Sequence, residues 1–318
     1  MRIDAVDMQL QRCKTLLQLR SEPSVASAEI QNALASPQIR SRDVHPRIES
    51  GTFPRMPLRR RWVAKVHAAT LPWRAFRSDA AVRNVQSRYT QPMSEASSIT
   101  FASNGEQIAG ALAVPAAASP VQVGGVVVIQ EWWGLTPHIC DIASRWGAAG
   151  FVALAPDLYR GEVAADAERA QKLMTELPRE RALADIAAAI ATVRAHPRCN
   201  GKVVLTGYCM GGSLSLRAAC EVRGLVGIVP FYGMPGPAEW QNVEAPVQLH
   251  VATRDEWVTP AAARGLQATL QGLGKTCDVF EYEADHAFCN DTRPRVYQAA
   301  EAALAWQRAV AFAQQQTA

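Results

Sequence analysis

From Ser98 onward, short β-branched runs alternate with stretches of helical periodicity, and this alternation predicts a mostly parallel sheet covered on both faces. Ile99–Ala102 and Ile108–Val114 flank Asn104-Gly105, a dipeptide suited to a tight hairpin. Val126–Ile129 is an unbroken β-branched run, the pattern of a strand buried on both sides. Further strands are predicted at Phe151–Ala155, Val203–Thr206, Gly224–Pro230, Val247–Ala252 and Cys277–Tyr282. Helices are predicted at Pro137–Ala149 (ended by Gly150), Ala164–Leu177, Arg181–Ala195, Ser213–Val222, Ala261–Leu273 and Arg295–Ala313. Asn200-Gly201 reads as a turn before Val203.

Residues 1–92 do not share this pattern. They carry 16 Lys+Arg against 7 Asp+Glu, whereas residues 93–318 carry 17 against 22. The 92-residue segment reads as a basic, disordered extension, and Asp4, Asp7, Glu22 and Glu29 make it too acidic for a transit peptide. Met93, immediately before the first strand pattern, fits a translation start, with the upstream codons not translated. The body beyond it is mildly acidic, so a nucleic-acid role gains no support. No apolar run reaches the ~20 residues that span a bilayer, and no membrane association is expected. The seven cysteines are odd in number and include no CxxC pair, which favours reduced thiols in a cytoplasmic protein over disulfides or a zinc site. No metal or organic cofactor is expected, and the body is read as a monomer.

The sharpest chemical signal is Gly207-Tyr208-Cys209-Met210-Gly211-Gly212, between the strand at Val203 and a helix. It has the Gly-x-nucleophile-x-Gly form of a nucleophile elbow, with Cys in place of Ser. Glycines two residues either side let strand and helix backbones meet, and the sulfur lies at a helix N-terminus. The N–H of Met210 is placed to meet a developing oxyanion, and that of Trp132 can supply a second donor. Partners are expected in the order nucleophile, acid, histidine. Asp255 follows the strand Val247–Ala252 and fits the acid, with Glu256 next to it still open. His286 follows the last strand and fits the base, whereas His250, inside a strand, reads as structural. Glu131 ends a buried strand, where a carboxylate is costly without a partner or a task. Trp133, Tyr232 and Phe288 are the expected substrate-pocket walls.

Together QEWWGL at Gln130–Leu135, APDLYRG at Ala155–Gly161, GYCMGG at Gly207–Gly212, Asp255 before Pro260 and HAF at His286–Phe288 resemble the dienelactone hydrolase family. The resemblance covers about Ser98 to Ala313 and implies an α/β-hydrolase fold with a mostly parallel central sheet and helices on both faces. It also implies a Cys209–His286–Asp255 triad and an acyl-enzyme, with Glu131 touching the resting thiol and helping to activate it. The expected substrate is a small ester or lactone. The family's substrate-binding arginines are replaced by Ala167 and Asn290, so dienelactone itself is not implied; Arg160, Arg169 and Arg295 are the candidates to replace them. A rival reading is a non-catalytic ligand-binding or redox-responsive module on the same scaffold.

Overall fold

The computed structural model describes residues 96–116 and 121–318. The expectations for residues 1–92 and for a start at Met93 lie outside these residues.

Eight strands form one sheet. In chain order the elements are β1 (Ser97–Ser103), β2 (Glu106–Ala113), β3 (Val123–Ile129), α1 (Pro137–Ala148), β4 (Val152–Pro156), α2 (Ala167–Glu176), α3 (Arg179–Ala195) and β5 (Cys199–Tyr208). They continue with α4 (Met210–Glu221), β6 (Leu225–Phe231), β7 (Val247–Ala252), α5 (Pro260–Gly272), β8 (Cys277–Tyr282) and α6 (Ala299–Thr317). The strand order is β1-β2-β4-β3-β5-β6-β7-β8. β2 runs antiparallel to both neighbours, and every pairing from β4 to β8 is parallel. This is the mostly parallel sheet expected from the alternating pattern, in the α/β-hydrolase arrangement that the resemblance implied. Among the described residues, no helix is long and apolar enough to cross a membrane.

The pleat of β3 builds both cores at once. Val127 and Ile129 join the cluster beneath α2 to α5, and Val126 and Val128 face Ile139, Trp146 and the α6 residues Ala305 and Ala309. Trp146 is fully buried and packs on Phe151 and Trp306 at centroid distances of 5.3 and 4.7 Å. The β1–β2 hairpin turns at Asn104 and Gly105, both at positive φ, as a mirror-image turn requires.

Several boundaries differ from the sequence expectation, three of them for a visible physical reason. Asn200 and Gly201 lie inside β5 rather than in a turn, at a bulge against β3 with Gly201 at φ 85°. Helix α4 starts at Met210, not Ser213, because Gly211 and Gly212 pack against backbone where helix propensity is overridden. Helix α6 starts at Ala299 rather than Arg295, after hydrogen-bonded turns through Arg293 and Val296.

β3 is flanked by β4 on one side and β5 on the other, so the chain leaves β3 in one direction and later crosses back. Ligands bind at the C-terminal strand ends beside such a switch. The loops after β3 and β5 carry Glu131 and Cys209.

Truncating Trp146 to Ala removes the largest side chain of the α1 and α6 core. It is expected to cost ~3–5 kcal/mol in unfolding free energy by urea titration, and a loss near zero would contradict this packing.

Candidate active site

Cys209 sits between β5 and α4 with φ 55° and ψ −114°, a conformation that strains a residue bearing a side chain. Close backbone packing holds it there. A Cβ on Gly211 would lie 2.3 Å from the Ile129 carbonyl oxygen, and one on Gly233 would lie 2.1 Å from the Cys209 oxygen. The Cys209 N–H donates to Phe231 O at 3.0 Å, which ties the elbow to β6. Neither the Met210 nor the Trp132 N–H is donated to a protein acceptor among the described residues.

Asp255 is held in the loop after β7. Its Oδ1 accepts the N–H groups of Trp257 and Val258 at 2.8 and 3.0 Å. Its Oδ2 lies 2.7 Å from His286 Nδ1, and the carboxylate side chain is wholly buried. Glu256, the open alternative, is exposed, whereas Asp255 is buried against His286. The His286 ring is bracketed edge-on by Tyr232 and Trp257 at 5.1 and 4.5 Å. Its Nε2 makes no hydrogen bond. Burial pulls the imidazole pKa down, but the Cys209 sulfur on one side and Asp255 on the other outweigh it and raise it to about 10. His250 is structural as expected: it bonds Tyr282 and Gln248, and burial lowers it to about 3.

Cys209, His286, Glu131, Met210, Trp132, Trp133 and Tyr232 all line one cavity of about 470 Å³. Phe288 does not; it is fully buried beneath the histidine loop, packing on Tyr232 and Tyr282, so the expectation that it walls the pocket is corrected. Ala287, at φ 65°, faces the cavity in its place.

Glu131 is 2% exposed and differs from what the resemblance implied. It forms no hydrogen bond with Cys209; its Oε2 accepts from Asn290 Nδ2 at 2.7 Å, and Oε1 is buried without a partner. Asn290 cannot flip, because its Oδ1 already accepts from the N–H and hydroxyl of Thr292 at 3.1 and 2.6 Å. Asn290 therefore orients Glu131, at the position where the resemblance would have placed a substrate-binding arginine.

None of the three candidate replacement arginines lines the cavity. Arg160 pairs with Asp185 at 2.7 Å and with Glu106, Arg169 pairs with Glu162, and Arg295 is exposed elsewhere. Ala167 merely opens α2 behind its Asp166 cap. The lining guanidinium groups are instead those of Arg179, Arg217 and Arg293, the last lying 5.3 Å from the Trp133 ring centre. Sequence reading missed all three, although Arg217 falls on the same helical face as Met210, Ser213 and Leu214. It also missed Trp257, Met174 and Leu177 as lining residues.

Because His286 holds its proton more tightly folded than unfolded, its stabilising contribution is complete below the unfolded imidazole pKa of ~6.5. That contribution is lost as pH rises through about 10. The urea midpoint is expected to fall across this window, and to fall less in Cys209→Ala. Equal slopes in both proteins would show that the sulfur does not hold the imidazolium.

Residues 108–317 match the family model of the dienelactone hydrolase family. The chain is 35% identical over 225 residues to protein usf of Aquifex pyrophilus, covering 67% of this chain and 96% of that protein. It is 33% identical over 217 residues to a carboxymethylenebutenolidase of Pseudomonas putida, covering 64% and 89%. Among solved structures, a provisionally named dienelactone hydrolase from Klebsiella pneumoniae aligns with a TM-score of 0.64 at 27% identity. That alignment covers 69% of this chain and 98% of the other.

Proposed function

The chain belongs to the dienelactone hydrolase family, and from that premise we propose that it hydrolyses small esters or lactones through a Cys209–His286–Asp255 triad and an acyl-enzyme. The observation that carries this reading is the 2.7 Å Asp255–His286 contact at the wall of the cavity that also receives the strained Cys209.

In the proposed cycle the Cys209 sulfur attacks the carbonyl carbon and the carbonyl oxygen becomes an oxyanion. The N–H groups of Met210 and Trp132, free of protein acceptors, meet that charge. His286, kept protonated by its neighbours, delivers its proton to the departing alkoxide as the C–O bond breaks. An alcohol leaves, or the opened lactone remains attached as an acyl chain. His286, now neutral, takes a proton from water; the hydroxide attacks the thioester and the carboxylic acid departs as sulfur recovers its charge. Asp255 holds Nδ1 and so leaves Nε2 as the ring nitrogen that serves the sulfur, whose influence the imidazole already feels. Glu131 contributes a carboxylate to the same cavity wall as Cys209, held in place by Asn290.

The walls Trp132, Trp133, Met210, Leu214 and Trp257 favour an apolar substrate body. The partner in this reading is a small molecule and the working unit a monomer. The six cysteines among the described residues are all unpaired, which supports the reducing cytoplasm as the setting a thiol nucleophile needs.

With a p-nitrophenyl acyl ester, Cys209→Ala is expected to reduce kcat to background, and intact-mass measurement of the unmodified chain should catch an acyl adduct on Cys209. Turnover persisting in the variant would reject the nucleophile. Asp255→Asn is expected to lower kcat on the order of 10²–10⁴-fold with little change in KM, since it removes an interaction that matters most as charge develops.

A further inference from the structure

The cavity continues well past the nucleophile along α4. Arg217, two turns beyond Met210 on the same lining face, is only 6% exposed, and the hydrolytic cycle leaves it without a task. Its Nη1 donates to Pro237 O at 3.1 Å. Among the described residues no carboxylate pairs with it, and its Nε and Nη2 are not among the sealed, unpartnered atoms. Arg217 lines the cavity, and these accessible donors are the ones it can offer there. A guanidinium cannot shed its proton, so a nearly buried one without a counter-charge is costly unless an anion comes to it. Its neighbours reinforce this. Arg293 and Arg179, the latter also paired with Glu180 at 3.2 Å, line the cavity as well, against Glu131 as the single lining carboxylate, and Glu131 is turned to Asn290.

We propose that Arg217 is the anion-binding end of the substrate cavity, so that the substrate is an elongated ester with an apolar body and a carboxylate tail. This rests on Cys209 as the site of attack, which fixes the other end. Eight residues of helix rise roughly 12 Å, and a helical side chain leans back toward the N-terminus, so carbonyl and anion stand on the order of 8–10 Å apart. That span suits a spacer of ~6–8 carbons. Leu214, Met174, Leu177 and Trp132 supply apolar walls for it. The arrangement differs from an arginine clamp beside the scissile bond, because the charge is read at a distance and length becomes part of the specificity.

The test gives the full chain p-nitrophenyl esters of matched length, one series ending in methyl and the other in carboxylate. The carboxylate series is expected to gain at least roughly tenfold in kcat/KM at ~6–8 carbons, and to lose that gain in high salt and at short lengths. Arg217→Met should bring the ratio between the two series to about one, and Arg217→Lys should keep part of it. A methyl series that equals or beats the carboxylate series at every length, or a preference that survives Arg217→Met, overturns the proposal. Tryptophan fluorescence of Cys209→Ala, titrated with octanoate and with the uncharged octan-1-ol, reads the same end without turnover. Tighter binding of octanoate that requires Arg217 supports the anion end even if Cys209 proves not to be the nucleophile. Equal binding of the two ligands overturns it whatever the catalytic result.

Discussion

The structure depends on a reversal of the chain at Cys209, where a parallel strand must become a helix within one residue. The backbone there takes φ 55°, a conformation costing roughly 1–3 kcal/mol that persists only where surroundings over-determine it. Here they do: β3 presses on Gly211, Gly233 presses on the Cys209 carbonyl, and the Cys209 amide is bonded to β6. Three strands thus fix one sulfur. The strain, the glycines and the switch of strand order at β3 are consequences of the same requirement. A side chain has to stand clear of the sheet, at the head of a helix, where a ligand can reach it.

The rest of the site is an arrangement of charge around that sulfur. Asp255 is buried, but two backbone N–H groups and the imidazole satisfy it, so a carboxylate is tolerated in the interior. His286 is enclosed by aromatic edges and held between the Cys209 sulfur and the Asp255 carboxylate, which raise its pKa against the effect of burial. Glu131 is the less satisfied member, with one oxygen bonded to Asn290 and the other bare. A half-satisfied buried carboxylate on the cavity wall is a standing demand for a hydrogen-bond donor.

Positive charge in the cavity is distributed differently from the pattern the family resemblance suggested. Asn290 has become a support for Glu131, while Arg160 and Arg169 are committed to carboxylates elsewhere. The cations that do face the cavity come from α3, α4 and the loop before α6. The elbow, Asp255 and His286 stand at strand ends, where backbone geometry leaves little freedom. The rest of the cavity wall is drawn largely from helix faces and loops, where a substitution moves a charge without disturbing the sheet.

Short-range pattern made much of this protein readable in its residues. Strands, most helices, the Asn104-Gly105 hairpin and the elbow all follow from periodicity and from where glycine must stand. Asp255, His286 and Glu131 were legible as types at strand ends in the right order. What the residues left open was fixed by contacts between segments distant in the chain. That Asp255 is buried while Glu256 is exposed was decided by the fold, as was the inward turn of Phe288 beside the positive φ at Ala287. The bulge at Gly201 came from pairing with β3, and the new role of Asn290 from a carboxylate 159 positions away. Local sequence determines which way each short element tends to go, because that depends on propensity and period. Which polar groups end up facing one another depends on how the elements pack, and only the folded chain decides it.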